Sequence, residues 1–230
     1  MTGWAEYSLA LAMFVASHFL PRLGGLRERL IGAVGRRAYF SAYGALSIAL
    51  LVWVISAAIR APYVDLWPQL PWTRWVPNLA MPLALILVAC GIGLRQPFTL
   101  GGRRGATFDP ARPGFAAISR HPLFLALALW SGAHLAPNGD LAMVILFASF
   151  LAMSLAAIFA FDACARRSLG GKAGAFFART AILSPAPLIN RDWLRANARR
   201  TTIRAGIGLV LWVALLHLHT MVIGVSPFPV

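Results

Sequence analysis

The residues best equipped for chemistry in this chain are five histidines, His18, His121, His134, His217 and His219. Acidic partners are scarce, with seven Asp and Glu in 230 residues. No two histidines have zinc spacing on one helix face, and too few Cys, Asp or Glu lie near them to complete a zinc site. A Ser-His-Asp hydrolase is poorly supported, because no Gly-x-Ser-x-Gly elbow is present. Neutral imidazole in apolar surroundings suits another task, axial ligation of haem b, in which two histidines from different helices clamp one iron. Arginines at the rim, such as Arg22 or Arg120, would meet the propionates. Taken singly, each histidine also reads as a hydrogen-bonded residue between helices or at an interface.

The elements that must position these groups are apolar. Hydrophobic residues make up 59% of the chain, charged ones 12%, and the mean hydropathy is +0.71. That composition excludes a disordered chain and argues against an ordinary soluble domain. Six stretches read as spanning helices: Trp4–Leu20, Ala38–Ile59, Leu79–Leu94, Pro122–Ala136, Leu141–Phe161 and Ala205–Gly224. None contains Arg or Lys, and a crossing of ~30 Å of hydrocarbon needs ~20 such residues. The third and fourth are short. The fourth is expected to start earlier, since Phe115–Ile118 is apolar and Arg120 could snorkel. A soluble bundle of these helices would have almost no polar face. The expected fold is therefore an all-α integral membrane protein of six transmembrane helices, a single domain over residues 1–230.

The basic residues test that count. From one terminus to the other, 0, 5, 2, 5, 0, 9 and 0 of them fall outside and between the windows. Nineteen thus lie on one side and two, Arg60 and Arg74, on the other. Counting Glu28, Asp109, Asp162 and Asp192 against the nineteen leaves +15 on the rich side and −1 on the poor side. The positive-inside rule puts the rich side in the cytoplasm and both termini outside, in the periplasm. The net charge of +14 is then an orientation signal and not a nucleic-acid footprint. A cleaved signal peptide is not expected, because no Lys or Arg precedes the first apolar run. Cys90 and Cys164 read as packing residues.

The loops add detail. The outer loop Arg60–Asn78, with Tyr63, Trp67, Trp72 and Trp75 among its prolines, is expected to lie on the outer interface. Pro137-Asn138-Gly139-Asp140 is a tight outer turn in which Asp140 caps the next helix. The inner Gly101-Gly102-Arg103-Arg104-Gly105 lacks P-loop spacing and reads as a flexible basic loop for anionic headgroups or acidic ligands. A surface helix, Asp192–Ile203, is expected in the last inner loop. Membrane lipids are therefore the expected partners.

Geometry limits the haem pairings. His121 and His134 are separated by ~20 Å of helix rise and ~220° of rotation, so they cannot share one iron. His217 and His219 point to nearly opposite faces. By depth, His18 pairs with His121, and His134 with His217.

Certain motifs resemble those of the NnrU family of bacterial membrane proteins. They are Ile118-Ser119-Arg120-His121-Pro122, Ala128-Leu129-Trp130, Ala133-His134-Leu135 and Asn138-Gly139-Asp140-Leu141-Ala142, together with His18, Tyr39–Ser47 and Arg166–Thr180. That family is linked to nitrite and nitric oxide reduction and is similar to 15-cis-zeta-carotene isomerase, a membrane haem b enzyme. The resemblance implies His18 and His134 as the axial pair, with His121 in the Arg-His-Pro element as the rival ligand. Trp130, one turn before His134, would pack on the ligand or haem. It further implies the bacterial inner membrane, with a haem-dependent redox or isomerisation role on a hydrophobic or small gaseous substrate. A non-catalytic assembly factor is the alternative of a different class. A second resemblance is to isoprenylcysteine and phospholipid methyltransferases, whose Arg-His-Pro element binds S-adenosylmethionine. Here Leu123-Phe124-Leu125-Ala126 replaces the expected Tyr and Gly, and Asp162 stands where an acidic pair is wanted.

Overall fold

A computed structural model of the chain describes residues 3–103 and 105–228, apart from the side chain of Arg22. Two arginines named above, Arg104 and the Arg22 side chain, therefore lie outside the described residues. Among the described residues the chain is helical, with a single isolated bridge between Asp65 and Asp140. The helices are α1 (Gly3–Phe19), α2 (Leu26–Val34), α3 (Arg36–Arg60), α4 (Trp75–Gly91), α5 (Pro122–Leu135), α6 (Leu141–Leu169), α7 (Ala173–Arg179) and α8 (Arg191–Ile223).

Among the described residues, four helical stretches are long and apolar enough to cross a membrane: Arg36–Arg60, Pro71–Gly91, Leu141–Arg179 and Arg191–Ile223. A fifth exists if α1 and α2, bent by 76°, count as one broken span. Helix α5 is apolar but shorter, with 14 residues, or ~21 Å of rise. The chain is thus a multi-pass membrane protein by its helices. Lipid is a fitting solvent for α8 in particular, which leaves Val210, Met221, Val222 and Ile223 exposed and has every interior backbone group paired within the helix.

The chain divides into two compact units. The first holds residues 1–68 and 139–146. In it α1 packs against α3, and the buried Tyr7 hydroxyl donates to the Ala142 carbonyl at 2.9 Å. Glu6 accepts from Arg60 and, at 3.2 Å, from the Trp53 indole. The chain leaves α1 after Phe19, through a turn containing Gly24 and Gly25 at φ +57° and +71°. Only glycine takes up that left-handed pair without strain, and the bend lies there. Asp140 accepts from Val64 N at 3.1 Å and Met143 N at 3.4 Å, so it caps α6 as its position suggested.

The second unit holds residues 69–138 and 147–230. Its α4 packs on both α5 and α8, around a core of Ala84, Leu87 and Ala126. Small residues let the helices close up: a side chain on Gly91 would collide with Leu123 and Pro122 at the start of α5.

Three expected boundaries change. Helix α5 does not extend back over Phe115–Ile118; residues 114–117 form a separate turn of 3-10 helix. Pro122 has no N–H to satisfy and suits the first helical turn, and Arg120 faces inward instead of snorkelling, being buried against Asp162. Helix α6 runs on past Phe161 to Leu169, which brings Asp162 into the helix. The separate surface helix Asp192–Ile203 is the first part of α8. No Gly or Pro interrupts residues 192–205, and Arg204 reaches sideways to the carbonyls of Ala89, Cys90 and Ile92 at the end of α4. One helix therefore serves both segments.

Candidate functional site

The sharpest polar assembly sits at the N-terminal end of α5. Burying a carboxylate in an apolar helix demands cationic or hydrogen-bonding partners, and Asp162 has them. Arg120 donates to it through Nε at 2.8 Å and Nη2 at 2.6 Å. This two-point fork is the planar match that guanidinium and carboxylate allow. His121 Nε2 lies 2.8 Å from the same Oδ1, and its Nδ1 lies 3.1 Å from the Thr99 hydroxyl. The consistent proton placement has Nε2–H donating to Asp162 and Nδ1 accepting from Thr99. His121 is 1% exposed, and both its ring nitrogens are engaged by side chains of the chain itself.

Backbone segments are tied into the same knot. Gln96, also buried, donates to the Arg120 carbonyl at 2.7 Å and accepts from Phe98 N at 3.1 Å. Arg120 N donates to Ala181 O at 2.7 Å, and Ser184 N to Ile118 O at 2.9 Å. Arg120 Nη1 reaches the Thr180 carbonyl at 3.4 Å, and Phe177 covers the guanidinium, its ring centre 5.1 Å away. The loop before α5 and the strand-like segment after α7 are thereby fastened to α6. Asp162–His121–Thr99 has the order of a proton relay, but all three are buried and each hydrogen-bonding atom is used. The arrangement holds structure together. It also occupies the Arg120 and His121 donors that the methyltransferase resemblance would direct at S-adenosylmethionine.

The other end of α5 is built from aromatic rings. Trp130 and His134 lie one turn apart with ring centres 5.7 Å apart. Phe147 stacks on His134 at 5.3 Å and Phe150 on Trp130 at 5.7 Å, both from α6. Nδ1 of His134 meets the Trp130 carbonyl at 2.7 Å. A carbonyl only accepts, so that nitrogen carries the proton, leaving Nε2 as a lone pair with no hydrogen-bond partner among the described residues. The last turn is closed by Asn138, whose amide donates to the His134 carbonyl at 2.7 Å.

His18, in the first unit, is set in the same way. Its Nδ1 is 2.8 Å from the Phe14 carbonyl and 3.1 Å from the Ser17 hydroxyl. Phe14 and Tyr43 flank the ring at 4.6 Å and 6.1 Å. The bend comes after this residue, so His18 stays within α1. On α8 His217 is exposed and His219 half-buried, with Nδ1 held by the Val213 and Val225 carbonyls. No three of the His, Cys, Asp and Glu side chains among the described residues group as a metal site.

Of the residues singled out in the sequence, the structure joins Arg120 with His121 and, separately, Trp130 with His134; His18 stands in the other unit. Thr99, Gln96 and Thr180 were not anticipated. In the sequence Asp162 stands out only as a lone acid where a methyltransferase-like acidic pair is wanted, although an acid at the end of an apolar run requires a cation, and Arg120-His121 lies at the same expected depth.

A family model described as NnrU protein matches residues 7–227. No curated protein and no solved structure matches the chain.

Proposed function

The chain belongs to the NnrU family, and from that premise we propose that it is a six-span protein of the bacterial inner membrane that binds haem b in nitrogen-oxide-linked or other redox metabolism. Both termini face the periplasm in this reading, which the nineteen-to-two division of basic residues supports. The observation that carries the haem assignment is the hydrogen bonding of His18 and His134. Each imidazole gives its Nδ1 proton to the carbonyl one turn earlier and keeps the Nε2 lone pair for a metal. A second hydrogen bond of this kind fixes tautomer and ring orientation in metal-binding histidines. His121 fails the same test, since both of its nitrogens are taken; His217 on α8 meets it as well, and the family resemblance is what selects His18 and His134 over it.

When bound, haem b would supply one-electron transfer. The chain's own residues supply the rest. Trp130, Phe147 and Phe150 exclude water beside His134 and offer flat faces to a macrocycle. Arg120 is committed to Asp162 and steadies α5 from its far end instead of meeting a propionate.

Oxidised and reduced spectra of the detergent-purified protein test this reading. A Soret band that is lost in His18→Ala and in His134→Ala but kept in His121→Ala is expected. Absence of the band after haem is supplied overturns the proposal and leaves the assembly-factor reading, with the histidines as interhelical hydrogen-bonding groups. The six-span depth order favours other pairs, His18 with His121 and His134 with His217. Loss of the band in His121→Ala or His217→Ala, with His18→Ala or His134→Ala unaffected, would replace the pair.

A further inference from the structure

The second unit contains a cavity of about 820 Å³ at the cytoplasmic end of the expected topology. It lies between the loop after α4, the end of α7 and the first turns of α8, and it borders Thr180, Ala181 and Ser184, whose segment is fastened to the start of α5. Among the described residues five arginines line it: Arg95, Arg112, Arg179, Arg200 and Arg204. Arg204 is occupied by the carbonyls at the end of α4. The other four have no carboxylate partner among the described residues. The one acid on the wall, Asp192, faces solvent and pairs with Arg195 at 3.5 Å. Like charges gathered around one concave surface repel and raise its potential, a cost that an anion relieves.

A second feature points the same way. The N-terminus of the 33-residue α8 opens on this cavity through Asn190 and Trp193, and a helix N-terminus carries a partial positive charge. The remaining wall is largely apolar, including Leu94, Phe115 and Pro187. Pockets for organic ligands hold ~300–1,000 Å³, so the space exceeds what a bare phosphate needs.

We propose that this cavity is a binding site for an organic phosphate, an anionic phosphoryl group held by Arg95, Arg112, Arg179 and Arg200 with its organic portion against the apolar wall. Guanidinium forks match phosphate oxygens in pairs, and four of them suit a group carrying two negative charges. Such a ligand comes from a lipid with a phosphate headgroup or from a soluble phosphate compound.

Calorimetric titration of the full chain in detergent tests the site. The probes are dihexanoyl phosphatidic acid, inorganic pyrophosphate and zwitterionic dihexanoyl phosphatidylcholine. Saturable binding of one or both anions is expected, weakened about tenfold or more by Arg112→Gln with Arg200→Gln. Saturation by phosphatidic acid alone identifies the lipid source, and saturation by pyrophosphate the soluble one. Both substituted arginines are exposed, so the double variant should unfold at the same temperature as the parent. Arg29→Gln with Arg37→Gln removes equal charge outside the cavity and should leave binding intact. The proposal is overturned if neither anion saturates, if phosphatidylcholine binds as well, or if the two double variants weaken binding equally.

Discussion

At the N-terminal end of α5, His121 has both ring nitrogens engaged and sits against an ion pair. At the C-terminal end, His134 has one nitrogen fixed by the backbone and one left over, among indole and phenyl rings. One short helix thus carries two histidines with opposite accounts of their hydrogen bonds. A fully satisfied imidazole is a strut, because any new ligand must first break a bond whose loss is costly in a buried place. An imidazole oriented by one bond and open at the other nitrogen is prepared for a ligand at no such cost. The comparison separates residues that keep the fold from residues free to take part in chemistry, although both types are histidines beside a helix end.

The largest effect should come from the closed end. Asp162→Ala leaves the Arg120 guanidinium buried without its carboxylate, and removing one partner of a buried pair costs ~3–5 kcal/mol. Thermal unfolding in detergent should show a much lower midpoint and a poor yield. The protein that remains folded should still take up haem. An unchanged midpoint would mean that the knot is not a strut and that the contrast between the two ends is misplaced.

Next comes His121→Gln, which keeps the ion pair and disturbs the Asp162 and Thr99 contacts. Leaving buried groups unsatisfied costs ~1–3 kcal/mol, so a smaller fall in midpoint is expected than for Asp162→Ala. The haem spectrum should match the parent. If His121→Gln abolishes the Soret band while the midpoint holds, the strut and the ligand have been assigned to the wrong ends.

How far these assignments were legible in the sequence differs between the two ends. The aromatic end was readable because Trp130 and His134 are four residues apart in one helix, and that spacing alone places them on a shared face. Asp140 and the tight turn before α6 were readable for the same reason of short range. The closed end was not, because its partners come from far along the chain: Thr99 and Gln96 from the loop after α4, Asp162 from α6 and Thr180 from the end of α7. Charge is a poor stop signal for these helices. Arg166 and Asp162 do not end α6, nor does Arg204 divide α8, since helices tolerate charged residues wherever solvent or a partner is in reach. Proline was the better guide, as α5 begins at Pro122.

Trp130→Phe tests the open end more gently. The ring stack on Phe147 and Phe150 survives in part, and aromatic pairs contribute ~0.5–1.5 kcal/mol beyond burial. A fall of that order in stability is expected, with haem bound but released faster on dilution into fresh detergent. If release is unchanged, Trp130 packs the helix pair and has no part in holding the ligand.

The smallest effect on stability belongs to His134→Gln, and there the contrast can be broken outright. Glutamine keeps helical propensity close to that of histidine, fills similar space, and gives up only the bond from Nδ1 to the Trp130 carbonyl. A single hydrogen bond contributes ~0.5–1.5 kcal/mol net, and this carbonyl sits in the last turn, where it loses little. The unfolding midpoint should therefore move less than in Asp162→Ala or His121→Gln. Haem uptake should nevertheless disappear, because no other group on α5 presents an open imidazole nitrogen there. The informative quantity is the ratio of the two effects: a large spectral loss with a small stability loss marks a ligand, and the reverse marks a strut. If His134→Gln falls with His121→Gln on that scale, both ends of α5 are structural, and the open nitrogen of His134 serves neither haem nor any other metal.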